Sequence, residues 1–268
     1  MLVRDAPDLQ VFMLRRSPRS AFVAGAYVFP GGAVDAEDAQ PALLERCHGR
    51  DPESADRMLA SDGALRFWVA AIRESFEEAG VLLARDAAGD PVDVAAEGVP
   101  EALAADRLAL LARQRTFVDI INGHEAMLDA GSLMPMGRWI TPAPSPRRYD
   151  TWFFVAAAPD GHVYEHDADE TVASVWIRPL DALAAAREQR IELIYPTYRS
   201  MQALAAYTSS AELLEAVDAV WREDSEPLQV VDDHQGWMLH LDAVVDDPDL
   251  ARDALDHATF TVSRPGRS

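Results

Sequence analysis

Cysteine is almost absent from this sequence, and long apolar runs are absent altogether. The single cysteine among 268 residues, Cys47, excludes an internal disulfide and a zinc site made of several thiolates. We expect this thiol to be inert. No stretch reaches the roughly 18 consecutive apolar residues that a membrane helix requires. The first ten residues carry charges where a secretory signal would have its apolar region, so we expect a cytoplasmic protein.

Basic residues are scarce as well. The chain has 24 Lys and Arg against 45 Asp and Glu, which gives a formal net charge of −21. Such a surface repels nucleic acids and acidic membranes at long range, so neither is expected as a partner. An anionic substrate would therefore need cations gathered locally, either a metal ion or arginines.

Helical and strand patterns alternate along the chain. Apolar residues at spacings of three and four predict a helix over 64–79, and aromatic and branched residues predict a strand over 150–157. Further strands are predicted at 9–15, 27–29, 139–141 and 172–177. Further helices are predicted over most of 100–129 and at 179–190, 198–207 and 211–222. One or two short helices are predicted within 33–62, and a hairpin around 232–235. The sum predicts a mixed sheet flanked by helices, an α/β/α sandwich.

Three carboxylates share one face of the helix predicted over 64–79. Glu74, Glu77 and Glu78 stand at positions i, i+3 and i+4, and like charges so placed repel one another unless a cation lies among them. Hard oxygen ligands of this kind suit Mg²⁺ or Mn²⁺. Arg73 lies beside the group and can hold a glutamate through paired hydrogen bonds. The pattern alone also fits a solvated acidic helix face.

Two segments of the chain resemble the halves of the Nudix box, G-x5-E-x7-R-E-U-x-E-E-x-G-U, in which U is a bulky aliphatic residue. The run RESFEEAGV, residues 73–81, is similar to the second half. The run FPGG, residues 29–32, resembles the turn that often opens the box, and Gly32 fits its first glycine. The sequence is therefore identified as a member of the Nudix hydrolase superfamily.

The chain departs from this pattern in three ways. Asp38 stands where the early Glu is expected, Ser75 occupies the aliphatic position, and the gap between Asp38 and Arg73 is far longer than seven residues. The long gap predicts an insertion, about 39–62, within a Nudix domain that spans 1–222. An extension at 223–268 is expected to pack on this domain or to trail it.

The resemblance implies a metal-dependent hydrolase that cuts a diphosphate linkage in a nucleoside diphosphate derivative. Arg73 would hold Glu74 in place. The Mg²⁺ or Mn²⁺ ligands implied are the Gly32 carbonyl and the carboxylates of Glu74, Glu77 and Glu78.

A further carboxylate is expected to act as the base that takes a proton from the attacking water. Nudix enzymes often draw a metal ligand or base from a loop before a late strand, and Glu170 stands there. Glu74 is the other candidate for the base. Glu165, Asp167 and Asp169 compete with Glu170, and a solvated acidic loop is the alternative.

The segment before the box bears on the substrate. Arg16, Ser17 and Gly25 match a motif, L-L-T-x-R-[SA]-x3-R-x3-G-x3-F-P-G-G, of the branch that includes the peroxisomal coenzyme A diphosphatases. Ala21 replaces the second arginine of this motif. Arg19 could supply the charge from nearby. Arg147 and Arg148 precede the strand at 150–157. We expect them to contact either a substrate phosphate or neighbouring acidic side chains.

Three functions therefore stand side by side. The first is a diphosphatase for coenzyme A or acyl-CoA. The second is a Nudix hydrolase for ADP-ribose, NADH, a nucleotide sugar or a modified nucleoside triphosphate. The third is a Nudix scaffold that only binds a nucleotide or partner. Asp38 and the insertion favour this third function, whereas the intact set of Arg73, Glu74, Glu77 and Glu78 argues against it. The insertion or the last helices could form the contact of a homodimer. Sheets of this branch usually carry a further strand upstream, so the natural chain is expected to start before Met1.

Overall fold

Contacts divide the chain into two compact units. The computed structural model describes residues 1–19, 23–141, 148–167 and 171–221, together with the backbone of 236–238. Unit 1 contains Met1–Phe29, Met134–Ala157 and Val175–Ser268, and unit 2 contains Pro30–Leu133 and Ala158–Ser174. The predicted domain boundary at 222 stays a prediction.

Nine strands and eight α-helices occur in the described residues. The strands are β1 (Leu2–Asp5), β2 (Leu9–Arg16), β3 (Tyr27–Val28), β4 (Ala84–Arg85), β5 (Met127–Leu128), β6 (Met134–Ile140), β7 (Asp150–Ala157), β8 (Thr171–Ile177) and β9 (Gly236–Met238). The helices are α1 (Pro41–Leu44), α2 (Pro52–Leu59), α3 (Leu65–Ala79), α4 (Val99–Leu111), α5 (Phe117–Gly123), α6 (Pro179–Arg187), α7 (Tyr195–Leu204) and α8 (Ser210–Trp221). In the part of the chain described, no helix is long and apolar enough to cross a membrane.

The main sheet is mixed and contains seven strands in the order β3-β2-β1-β7-β6-β9, with β8 paired to β2 outside this path. The pair β1–β7 is parallel, whereas β1–β2, β2–β3, β6–β7 and β6–β9 are antiparallel. A mixed sheet with helices confirms the predicted α/β fold class.

The core of unit 1 follows from alternation along its strands. Leu9, Val11 and Met13 point to one face of β2 and are buried there. Residues of α6, α7 and α8, among them Met201 and Leu213, join the same cluster. Each such side chain removed from water stabilises the fold by about 1.5–3 kcal/mol.

The segment 33–62 contains short helices, as predicted. A 3-10 turn at Ala36–Ala39 is followed by α1 and α2, and the Asp51 side chain accepts the Ser54 N–H at 2.7 Å to cap α2. The carboxylate helix, predicted over 64–79, is α3. Its apolar stripe is buried, and Phe76 packs on Phe117 of α5 with ring centroids 6.5 Å apart.

Several predicted bounds were wrong. The sequence analysis did not anticipate β1, because a four-residue strand with two charges has little periodicity. The helical stretch over 100–129 is broken after α4, where Arg113 adopts a left-handed φ of 55°, and it ends in β5. Helix α7 begins at Tyr195 rather than 198, because Pro196 fits the first turn of a helix. The hairpin predicted around 232–235 lies outside the described residues.

Candidate active site

Helix α3 presents its polar residues as a single group because its apolar stripe fixes its orientation. Leu65, Val69, Ile72 and Phe76 are buried, which leaves Glu74, Glu77 and Glu78 together on another side. Gly80 ends the helix with a φ of 70°, a left-handed conformation that favours glycine. The chain then enters the core through Val81–Leu83.

The turn at Gly31–Gly32 lies against this carboxylate face. The Gly31 N–H donates to Glu78 Oε2 at 2.8 Å. A Cβ atom on Gly32 would lie 2.6 Å from both carboxylate oxygens of Glu74, so only glycine leaves room for that carboxylate. The two segments that carry the box pattern are thus in contact, although 41 residues separate Gly32 from Glu74 (74 − 32 − 1).

Arg73 connects the two segments and is almost fully buried. Its Nε and Nη2 donate to the two oxygens of Asp38 at 2.8 and 3.0 Å, and Nη2 also donates to Ala33 O at 2.8 Å. Its Nη1 donates to Glu74 Oε1 at 2.9 Å and to Glu77 Oε1 at 3.2 Å. All five N–H groups of the guanidinium therefore have an acceptor.

Asp38 is the partner that the sequence analysis noted only as a departure. Its side chain is 0% exposed, and its Oδ2 also accepts the Asp35 N–H at 2.7 Å. A carboxylate in such a place requires a cation, which Arg73 supplies. The replacement of the early Glu by Asp38 thus keeps an acid on Arg73. The Oγ of the other departure, Ser75, is buried without a hydrogen-bond partner among the described residues.

Burial shapes the charges of these residues. Burial raises the pKa of Glu74 to about 7, although Arg73 acts in the opposite direction. Burial also raises the pKa of Glu77, again against Arg73. For Arg73, burial alone would lower the pKa, but the hydrogen bond with Asp38 and the surrounding carboxylates outweigh it and raise the pKa. Glu74 is therefore a carboxylate that can gain or lose a proton near neutral pH.

Comparison with known proteins gives the family. The family model of the NUDT19 Nudix domain matches residues 40–204, more than half of the chain. The chain belongs to the NUDT19-type Nudix family. The matched range includes the run at 73–81 but begins after Gly32 and Asp38, which the structure places against α3.

Individual relatives of this Nudix protein agree with the family match. Acyl-coenzyme A diphosphatase NUDT19 from Homo sapiens is 28% identical over 238 residues, which cover 78% of this chain and 64% of that protein. The protein of the same name from Gallus gallus is 28% identical over 240 residues, covering 77% and 64%. The chain thus spans less than two thirds of the length of these relatives. A crystal structure of a Nudix hydrolase from Alicyclobacillus acidocaldarius superposes with a TM-score of 0.65 at 27% identity, covering 80% of this chain and 92% of that one.

Nudix hydrolases generally need divalent metal ions, which oxygen donors of this Nudix domain would have to hold. Within the described residues, no three side chains of His, Cys, Asp or Glu stand in metal-binding geometry. Glu74 and Glu77 instead contact Arg73. The chemistry of the donors nevertheless fits a hard divalent cation. Glu74, Glu77 and Glu78 lie on one side of α3, and the missing Cβ of Gly32 lets the Glu74 carboxylate approach the turn.

The remaining predicted residues of this Nudix protein are only partly described. Glu170, Asp169 and Arg147 lie outside the described residues. Arg16 and Arg148 both belong to unit 1, and the Arg148 Nε donates to Thr141 O at 2.9 Å. The roles predicted for all of these residues stay predictions.

The sequence analysis missed Arg107 of α4. Its Nε donates to Glu77 O at 2.9 Å, and its Nη2 donates to Glu165 O at 2.9 Å. No spacing relates Arg107 to the box. The sequence feature that could have indicated a role for Arg107 is a cation inside an Ala- and Leu-rich helix of a very acidic chain.

Proposed function

We propose that this chain is a metal-dependent diphosphatase that hydrolyses the diphosphate linkage of coenzyme A or acyl-CoA. The observation that carries the proposal is the buried Arg73, which holds Asp38, Glu74 and Glu77 at once beside the Gly31–Gly32 turn. A nucleotide-binding scaffold would not require four ionisable side chains packed in this way. The name of the relatives, acyl-coenzyme A diphosphatase, supports the choice of substrate.

In this proposal each residue of the group has a separate task. Glu74, Glu77, Glu78 and the Gly32 carbonyl would hold Mg²⁺ or Mn²⁺, which when bound neutralises the diphosphate and orients water. Arg73 keeps Glu74 and Glu77 in position through its Nη1. The attacking water loses its proton to Glu74 or Glu170. In the metal-free protein burial raises the pKa of Glu74 to about 7, and a bound cation would lower it and keep this carboxylate ionised.

The products would be a 3′-phosphorylated adenosine nucleotide and phosphopantetheine, or its acylated form. Arg16, Arg147 and Arg148 are proposed to contact the anionic substrate. A cytoplasmic location and a homodimer remain predictions of the sequence. A Nudix hydrolase for another nucleoside diphosphate derivative remains the second candidate, because Ala21 removes one arginine of the upstream motif.

The test is a product screen by mass spectrometry with Mg²⁺ and Mn²⁺. The substrates are coenzyme A, acyl-CoAs, ADP-ribose, NADH, nucleotide sugars and nucleoside triphosphates. Glu78→Gln is the inactivating variant, and Glu101→Gln, an exposed position in the first turn of α4, is the matched control. Glu78→Gln should lower kcat by about 100-fold or more, since residues that merely orient metal ligands already contribute about 10- to 100-fold.

Each outcome of the screen supports one of the three candidate functions and rejects the others. Cleavage of coenzyme A to 3′,5′-ADP and phosphopantetheine, lost in Glu78→Gln and kept in Glu101→Gln, supports the proposal. Cleavage of a different compound keeps the metal site and rejects coenzyme A. Metal binding without turnover of any compound rejects hydrolysis in favour of the scaffold.

A further inference from the structure

Arg107 connects three elements of unit 2. As described above, its guanidinium donates to the carbonyl of Glu77, near the end of α3, and to the carbonyl of Glu165. The Glu165 N–H in turn donates to Ala79 O at 3.2 Å. These three hydrogen bonds form a clamp that joins α4, the last turn of α3 and the segment around Glu165.

The clamp satisfies groups that a helix end leaves open. The last four carbonyls of an α-helix have no partner within the helix, and a cation is favoured near them by the helix dipole. The Gly80 N–H donates to Phe76 O. The Arg107 Nε donates to Glu77 O, and the Glu165 N–H donates to Ala79 O. Three carbonyls in the last turn are thereby bonded.

Gly80 is shaped to admit the guanidinium. A Cβ atom at this position would lie 3.1 Å from Arg107 Nη1 and 3.3 Å from Val163 O. The glycine that ends α3 with a left-handed φ therefore also leaves space for the arginine. The Val163 carbonyl bounds the same position, so a side chain at residue 80 would press on both the guanidinium and the backbone.

The surroundings of Arg107 are acidic and partly desolvated. Burial lowers the pKa of Arg107, and the charges of Asp167, Glu165 and Glu78 act in the opposite direction. An arginine does not lose its proton at working pH. A partly desolvated cation is therefore within electrostatic reach of Glu78, and the hydrogen bonds of its Nε and Nη2 go to backbone carbonyls.

We propose that Arg107 is a positioning residue for the metal ligands Glu77 and Glu78. Glu77 is held at two points, its carbonyl by Arg107 and its carboxylate by Arg73. The hydrogen bond to this carbonyl restrains the last turn of α3, from which the Glu77 and Glu78 side chains extend. The inference rests on the proposed function, because the positioning matters only if these carboxylates bind a metal.

The experiment compares two substitutions with a matched control in the full chain. Arg107→Gln removes the charge and the forked donor, and Arg107→Lys keeps the charge but lacks the fork. Arg113→Gln alters an exposed arginine just beyond the same helix. The measurements are Mn²⁺ affinity by calorimetry, kcat and KM for coenzyme A, and thermal unfolding.

Both Arg107 variants should weaken Mn²⁺ binding and lower kcat by about 10-fold or more, the effect expected when a residue that orients metal ligands is removed. KM should change by less than about twofold, since Arg107 makes no proposed contact with substrate. Arg113→Gln should match the wild type.

The remaining outcomes would overturn the inference or the proposed function separately. Unchanged Mn²⁺ affinity in Arg107→Gln, even with a lower melting temperature, would reduce Arg107 to a structural role. A fully active Arg107→Lys beside a defective Arg107→Gln would assign the effect to charge and reject the clamp. Wild-type protein that binds Mn²⁺ but cleaves no coenzyme A would reject the proposed function alone, while the affinities still decide the clamp. Wild-type protein that binds no Mn²⁺ would overturn both.

Discussion

Arg73 is the residue on which the candidate site depends. It is charged and buried, and it is tolerated because every N–H has an acceptor and because Asp38 supplies a buried counter-charge. Such pairs contribute little compared with apolar packing, but removing one partner leaves an uncompensated charge in the interior. The value of the pair lies in orientation, since the same guanidinium also holds Glu74 and Glu77.

Asp38→Asn should destabilise the fold by about 3 kcal/mol, because it leaves the buried charge of Arg73 without its main counter-charge. This value is at the lower end for a broken buried ion pair, since Arg73 keeps Glu74 and Glu77 as partners. Urea unfolding of the metal-free protein measures this change. Glu37→Gln, exposed in the same 3-10 turn, should change the free energy of unfolding by less than about 0.5 kcal/mol. Equal stabilities for the two variants would show that Asp38 does not balance Arg73.

The pKa of Glu74 predicts a pH dependence of stability in the metal-free protein. Burial raises this pKa from 4.5 in the unfolded chain to about 7 in the folded one, so between these values only the folded protein holds the proton. The stabilisation from this bound proton is complete below pH 4.5 and is lost as the pH rises through 7. The free energy of unfolding should therefore decrease by up to about 3 kcal/mol over this range. Glu74→Gln should flatten this part of the unfolding profile, whereas parallel profiles for variant and wild type would contradict the prediction.

At the scale of elements, α3 combines two roles. Its apolar stripe packs in the core of unit 2, and its polar face gathers the carboxylates. Its end is fixed by Gly80, which serves both the left-handed C-cap and the space for Arg107. The start of α4 offers a comparison, because Gly98 also has a left-handed φ, of 83°, but would meet no atom within 4 Å of an added Cβ.

Gly98→Ala should therefore cost only the backbone strain, about 1–2 kcal/mol. Gly80→Ala should cost about 1 kcal/mol more, because the new methyl group must displace Arg107. Chemical denaturation of both variants provides the difference. If the two costs were equal, the guanidinium would be free to move away, and Gly80 would be required for its φ alone.

At the scale of the whole molecule, the acidic surface dominates. A net charge of −21 favours expansion through self-repulsion. Raising NaCl from about 20 to about 200 mM shortens the screening length from about 20 to about 7 Å, so the melting temperature of the metal-free protein should rise by about 2–4 °C, the effect of about 1 kcal/mol in a chain of this size. Near the isoelectric point, about pH 4.6, the same salt step should have almost no effect, and a rise of equal size there would point to a different cause.

The order of residues along the chain was enough to predict the carboxylate helix, the glycine turn, most strands of the main sheet and the Nudix family. Those features depend on local order: an apolar period fixes which side of α3 is buried, and paired glycines fix a turn. Three contacts emerge only from the folded chain: Asp38 pairs with Arg73 across 35 positions, Gly32 lies against Glu74, and Arg107 donates to the end of α3. Such contacts depend on how distant segments pack, and neither periodicity nor spacing along the chain encodes that packing.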